Sequence, residues 1–183
     1  MKMNKIIILL LLFNKLISFN EASNQIIARQ GQVSFFSYTS VENIEAKNNQ
    51  VLSIIDLSKK EIAISMLMNA FEFKKSLMHE HFNESYIESD LHPKATFKGH
   101  IIDFDPSLKV QTRIVKGIVV IRNISKEIEV KTEIQNINGK YSIAGNFDLS
   151  VKDFEIKIPP LLAPNIAKMI AVKFRFEYEP YEK

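Results

Sequence analysis

Cysteine is absent from the 183-residue sequence. That excludes disulfides and thiolate metal sites, and it also excludes a lipid-modified cysteine behind a leader segment. The fold must therefore hold together by packing alone. Glycine is scarce, with five in the chain, and no glycine-rich loop for cradling phosphate is visible. The G-x-S-x-G nucleophile elbow is missing. No apolar run reaches the roughly 20 residues that a membrane-spanning helix needs. Neither sign of charge dominates: 24 Lys and Arg against 21 Asp and Glu give a formal +3. Both signs are spread along the chain, without the basic patch that a nucleic-acid partner would need.

What the sequence does contain begins at its start. Lys2 and Lys5 precede residues 6–13, which are all apolar, and Asn14 and Lys15 end the run. A basic start followed by a short apolar stretch is the pattern of a secretory signal peptide. The competing reading, a buried N-terminal helix, does not account for that charge order. No clean A-x-A marks the cut, and the small residues Ser18, Ala22 and Ser23 place it near Ala22. The expectation is a signal peptide over 1–22 and one domain over 23–183, a suitable length for a single core. Removing Lys2, Lys5, Lys15 and Glu21 lowers the formal charge to +1. With no lipidation cysteine and no membrane anchor, the cleaved protein is expected free in the periplasm or secreted.

Period-two alternation dominates the rest, which is the signal of half-buried strands. Segments 32–40, 41–47 and 51–57 read as opening strands. In 61–69, Ile62, Ile64, Met66 and Met68 share one face. Phe71 and Phe73 fall out of that phase, which predicts a bulge or strand end near Ala70. Over 74–88, Leu77, Met78, Phe82 and Tyr86 take helical spacing, and the segment 90–93 with Pro93 must stop the helix. Strands resume with Ala95, Phe97, Gly99 and Ile101 on one face, then over 114–123, with Gly117 as a bend. Ile128, Val130, Thr132 and Ile134 alternate with charged residues, and Asn138-Gly139 is a hairpin signal. Tyr141, Ile143, Gly145, Phe147 and Leu149 share the face of the returning strand. Segment 154–158 reads as a short extended piece and 161–167 as a helical turn. Ile170, Val172, Phe174, Phe176 and Tyr178 share a face of the last strand. Eight or more strands, each with one apolar face, fit either a sandwich or a closed barrel.

Candidate chemistry is sparse. His79, Glu80 and His81 stand in a row, with Glu84, His92 and His100 beyond. Zinc ligands on a helix stand four apart so as to share a face, whereas His79 and His81 are two apart and diverge. Asp103 and Asp105 flank a proline turn and read as a solvated hairpin end. The expectation is no catalytic residue, no metal and no cofactor. The apolar strand faces are the remaining candidate, because methionines and aromatics adapt to irregular apolar ligands. A packed core would use the same residues.

Segment 76–99 has the sharpest motif: a helix carrying His81, Phe82 and acidic residues, leading into His92-Pro93-Lys94-Ala95-Thr96-Phe97. This resembles the hallmark of the YceI-like family. Segments 33–48, 115–130 and 144–154 resemble the strands that flank it in that family, with Asn123 standing where the pattern usually has glycine. The resemblance implies a mainly β fold: an extended antiparallel lipocalin-like barrel of about eight strands, with one short helix near its mouth. It also implies a long-chain lipid or polyisoprenoid partner in the lumen. On that reading Ile64, Met66, Met68, Phe97, Phe147 and Phe174 line the lumen and Phe82 closes it from the helix. The leading expectation is non-catalytic binding, storage or transport of such an amphiphile. The alternatives are an envelope hydrolase using the His79/His81 segment, or a filled-barrel, stress-related structural protein.

Overall fold

Residues 24–181 are described by the computed structural model, and the expected signal peptide lies outside them. Strands β1 (Gln25–Tyr38), β2 (Asn43–Asp56) and β3 (Glu61–Leu67) come first. A two-residue strand β4 (Glu72–Phe73) precedes helix α1 (Ser76–His81). Then follow β5 (Lys94–Ile101), β6 (Val110–Ile121), β7 (Ile124–Ile137), β8 (Lys140–Ser150), β9 (Met169–Glu177) and the short β10 (Glu179–Pro180). All the pairings are antiparallel, and β1 pairs with both β2 and β9, which closes an eight-stranded barrel. Of the two architectures open to the alternating pattern, the barrel is the one formed. Closure removes the unpaired strand edges that otherwise invite association.

The barrel's two ends differ. One carries short turns, among them the Asn138–Gly139 hairpin, where both residues take positive φ (54° and 83°). Phe104 and Tyr141 pack together there at 6.4 Å. Nearby, the Tyr178 hydroxyl is within 2.7 Å of the Ser53 hydroxyl, deep in the protein. Burial raises the Tyr178 hydroxyl far above the ordinary phenol range, and the Ser53 bond offsets part of that rise. The other end carries the two long connections, 68–93 and 151–168, and is the mouth.

Four of the five glycines serve packing rather than turning. Gly99 and Gly117 face each other across β5 and β6. A Cβ on either would lie under 3 Å from the Phe97 ring and from opposing backbone. Gly145 gives the same room to Phe174, and Gly31 to Phe176. Large rings therefore rest against the barrel wall where side chains are missing. Gly31 also sits where the β1–β2 register shifts. On the facing strand Asn48 is fully buried, and its Nδ2 donates to the Leu67 carbonyl at 2.8 Å while its Oδ1 accepts from the Gln50 amide at 2.8 Å. Gly31→Ala would set a methyl 2.1 Å from the Phe176 ring. The expected loss is about 1–3 kcal/mol, typical of overpacking. Thermal melts check it, and adding Phe176→Leu should recover part of the loss if the clash is the cause.

Several sequence expectations need correction. The three opening strands are two long ones, because residues 25–31 pair with β2 and the polar stretch 48–50 continues β2. β6 starts at Val110 and stops at Ile121, shifted from 114–123. The short helix expected over about 74–88 is present over residues 76–86, with α1 passing at Phe82 into a single π turn, Phe82–Tyr86. Segment 154–158 is not a strand. It leaves a 3-10 turn, Val151–Phe154, through Glu155 at φ 51°, and the later turn is also 3-10, Pro160–Asn165. The expected break near Ala70 is present as a 3-10 turn, Met68–Ala70.

Candidate functional site: two stacked apolar cavities

Strand alternation turns one face of every barrel strand inward, and those faces enclose two cavities. The deeper one, about 80 Å³, is lined by Ile64, Met66, Phe97, Phe147 and Phe174 among others. Its hydroxyls are those of Thr96 and Thr132. The mouth cavity, about 150 Å³, lies between the barrel end, the helix and the β8–β9 connection. The two are stacked along the same strands. On β1, Val33 lines the deeper and Phe35 the mouth cavity; on β9, Val172 and Ile170 do the same. Phe35 is itself the partner of Val172 in the ladder.

The helix is fixed over the mouth by aromatic packing. Phe82 stacks on Phe35 at 5.5 Å and meets Phe73 at 5.1 Å and Phe71 at 5.7 Å. The π turn aids this placement, since the Ile87 amide reaches back five residues to the Phe82 carbonyl at 2.9 Å. The extra residue per turn lets the chain re-aim at that point. Arg122, at the tip of the β6–β7 hairpin, ties three connections together. Its guanidinium pairs with Glu88 after the helix and donates to the Glu155 carbonyl at 2.8 Å in the β8–β9 connection.

The polar groups at the mouth are few. Ser37, Glu42, His81, Tyr86 and Asn165 border the cavity. Ser37 Oγ accepts the Ala167 amide at 2.8 Å, and Glu42 is paired with Lys75 at 2.5 Å. Burial raises the Tyr86 hydroxyl above the usual phenol range. His79 turns away from the cavity: its Nδ1 is 2.9 Å from the Phe71 carbonyl, and its ring meets Phe73 edge-on at 5.9 Å. The two histidines thus diverge, as their spacing requires. Among the described residues no three His, Asp or Glu side chains converge on a metal-sized site.

The seven residues singled out in the sequence fall into three places. Ile64, Met66, Phe97, Phe147 and Phe174 line the deeper cavity. Phe82 lines the mouth cavity. Met68 lines neither, because β3 ends at Leu67 and Met68 is buried in the following turn. Sequence reasoning missed Phe35 and the wall supplied by Ile158, Leu162 and Ile166. The spacing of those three, four residues apart, was the available signal.

The YceI-like domain profile matches residues 25–178, from the first strand to the tyrosine that closes the far end. The chain belongs to the YceI-like family. Solved structures of similar fold include a polyisoprenoid-binding domain from Saccharophagus degradans implicated in plant cell wall breakdown. It is 12% identical with a TM-score of 0.74, covering 86% of this chain and 99% of that one. BcnA of Burkholderia cenocepacia is 13% identical with a TM-score of 0.68, covering 81% and 96%. The Campylobacter jejuni YceI protein is 13% identical with a TM-score of 0.63, covering 80% and 90%. No curated protein matches this chain in sequence. At such identities the shared property is the YceI-like fold itself.

Proposed function

We propose that this YceI-like barrel binds and stores or carries a long apolar or isoprenoid amphiphile, without catalysis. The observation that carries the reading is the pair of stacked apolar cavities, set against a far end closed by Phe104, Tyr141 and the Tyr178–Ser53 contact. A chain threaded from the mouth loses water along its whole length, and each buried CH₂ contributes about 0.8 kcal/mol. Affinity then needs few polar groups, and the mouth supplies few. The structural relative named as a polyisoprenoid-binding domain supports the ligand class. The test is thermal unfolding with a long-chain polyprenol delivered in detergent. At 100-fold excess over Kd, stabilisation is about 2.7 kcal/mol, which for a domain of this size raises Tm by roughly 5–10 °C. An unchanged Tm across polyprenols and fatty acids would contradict the reading and favour a filled barrel. A hydrolase would instead show turnover that His81→Ala abolishes in a folded protein.

The same proposal places the protein outside the cytoplasm. Support comes from Lys2, Lys5 and the apolar run over 6–13. Protein recovered from the periplasm or medium should lack about the first 22 residues by mass, as cleavage of a leader requires. Full-length protein confined to the cytoplasm would overturn this.

A further inference from the structure

The connection between β8 and β9 has two faces. Ile158, Leu162 and Ile166 line the mouth cavity. Between Lys157 and Lys168 the chain carries no charged side chain at all. Leu161 is 88% exposed, and Pro159, Pro160, Ala163 and Pro164 are also exposed. The β1–β2 hairpin extends this surface. Ser37 holds the Ala167 amide, and beyond it Tyr38 and Val41 are each 62% exposed. Single exposed leucines need no explanation. A run of exposed apolar residues on the rim of an apolar cavity marks an interaction surface.

We infer that this rim docks on a phospholipid bilayer, with Leu161 and the neighbouring prolines entering the headgroup layer. The charge pattern favours a lipid surface. Lys157 and Lys168 bracket the uncharged stretch, so their aliphatic stems can lie along apolar surface while their ammonium groups meet lipid phosphates. Of the acidic residues of the mouth, Glu80 and Glu84 are on and just after the helix, Asp153 and Glu155 precede Lys157, and Glu42, beside Val41 on the β1–β2 hairpin, is paired with Lys75. Contact is therefore made through the β8–β9 side of the mouth. Because the inner face of the same loop is cavity wall, docking places the cavity entrance at the lipid, and an apolar chain can enter without crossing water. This inference rests on the apolar-ligand reading and is tested apart from it.

The experiment is flotation of the purified mature protein with vesicles of phosphatidylethanolamine and phosphatidylglycerol, and with phosphatidylcholine vesicles as the uncharged comparison. Wild type should float with the anionic vesicles. Leu161→Asp should lower the bound fraction at least tenfold with Tm unchanged, since that side chain stands in water. The double variant Lys157→Glu, Lys168→Glu should weaken binding to anionic vesicles and leave phosphatidylcholine binding as it was. Wild type that stays in the soluble fraction with every vesicle overturns the inference, as does Leu161→Asp that floats like wild type. So does a Leu161-dependent protein partner in the absence of vesicle binding. Solvent extraction of the same preparations separates the two readings. Protein that carries lipid but ignores vesicles overturns docking alone, and protein that floats through Leu161 but carries no lipid overturns the carrier reading alone.

Discussion

Replacing Met66 by aspartate should strip the protein of bound lipid or unfold it. Met66 borders the deeper cavity beside Phe97 and Ile64, where no cationic side chain is among the lining residues. A carboxylate there has no partner, and an unpaired buried charge costs several kcal/mol. The pH dependence identifies the cause. Burial raises the folded-state pKa of such an aspartate above its unfolded value. Its destabilisation is therefore complete above the folded pKa, and it fades as pH falls through that value toward the unfolded one. Melts of Met66→Asp and wild type should converge toward pH 4. A deficit that stays constant from pH 8 to pH 4 would mean that lost packing, not charge, is responsible. Met66→Ala supplies the uncharged reference, with an expected loss of about 2–5 kcal/mol if the thioether is fully packed. A smaller loss fits a side chain that faces open space.

Phe82→Ala should have the second large effect. Three phenylalanines surround this ring within 5.1–5.7 Å, and with Ile87 it joins the helical segment to the core. Truncating a buried phenylalanine costs about 3–5 kcal/mol, which lowers Tm by roughly 6–20 °C in a domain of this size. The loss should be local first. Residues 76–92 should become the site of limited proteolysis while the strands keep their protection, because the barrel ladder does not pass through this segment. Phe82→Leu should retain most of the stability. Uniform exchange across barrel and helix in Phe82→Ala would contradict a separate docking role for the ring.

The parts of the fold legible in the sequence are those where one strand face is buried and the other is wet. Ile128, Val130, Thr132 and Ile134 alternate with charged residues because β7 has a cavity on one side and water on the other. Asn138-Gly139 was readable because a tight hairpin demands positive φ at both positions. Alternation failed where the ladder is irregular. Ile26, Ile27 and Ala28 are all buried, so side chains on both faces of β1 are covered there and no period-two signal exists. Asn48 looked like part of a loop, yet it is buried with its amide satisfied by backbone across a bulge. Arg122 gave no signal because its partners lie more than 30 residues away on either side. The lumen face was readable as apolar; the mouth cavity was not, because it is completed by the helix and by the β8–β9 connection, which strand alternation does not describe.

On the proposed function, the cavities of this barrel hold a lipid. Native mass spectrometry of the protein purified from its own cells, paired with solvent extraction, tests it most directly. A lipid-loaded barrel should give a discrete mass addition that denaturation releases, and an extract containing one long-chain apolar or isoprenoid compound in near-equimolar amount. Protein that flies at its bare polypeptide mass, with an empty extract and a Tm indifferent to added polyprenol, would contradict it.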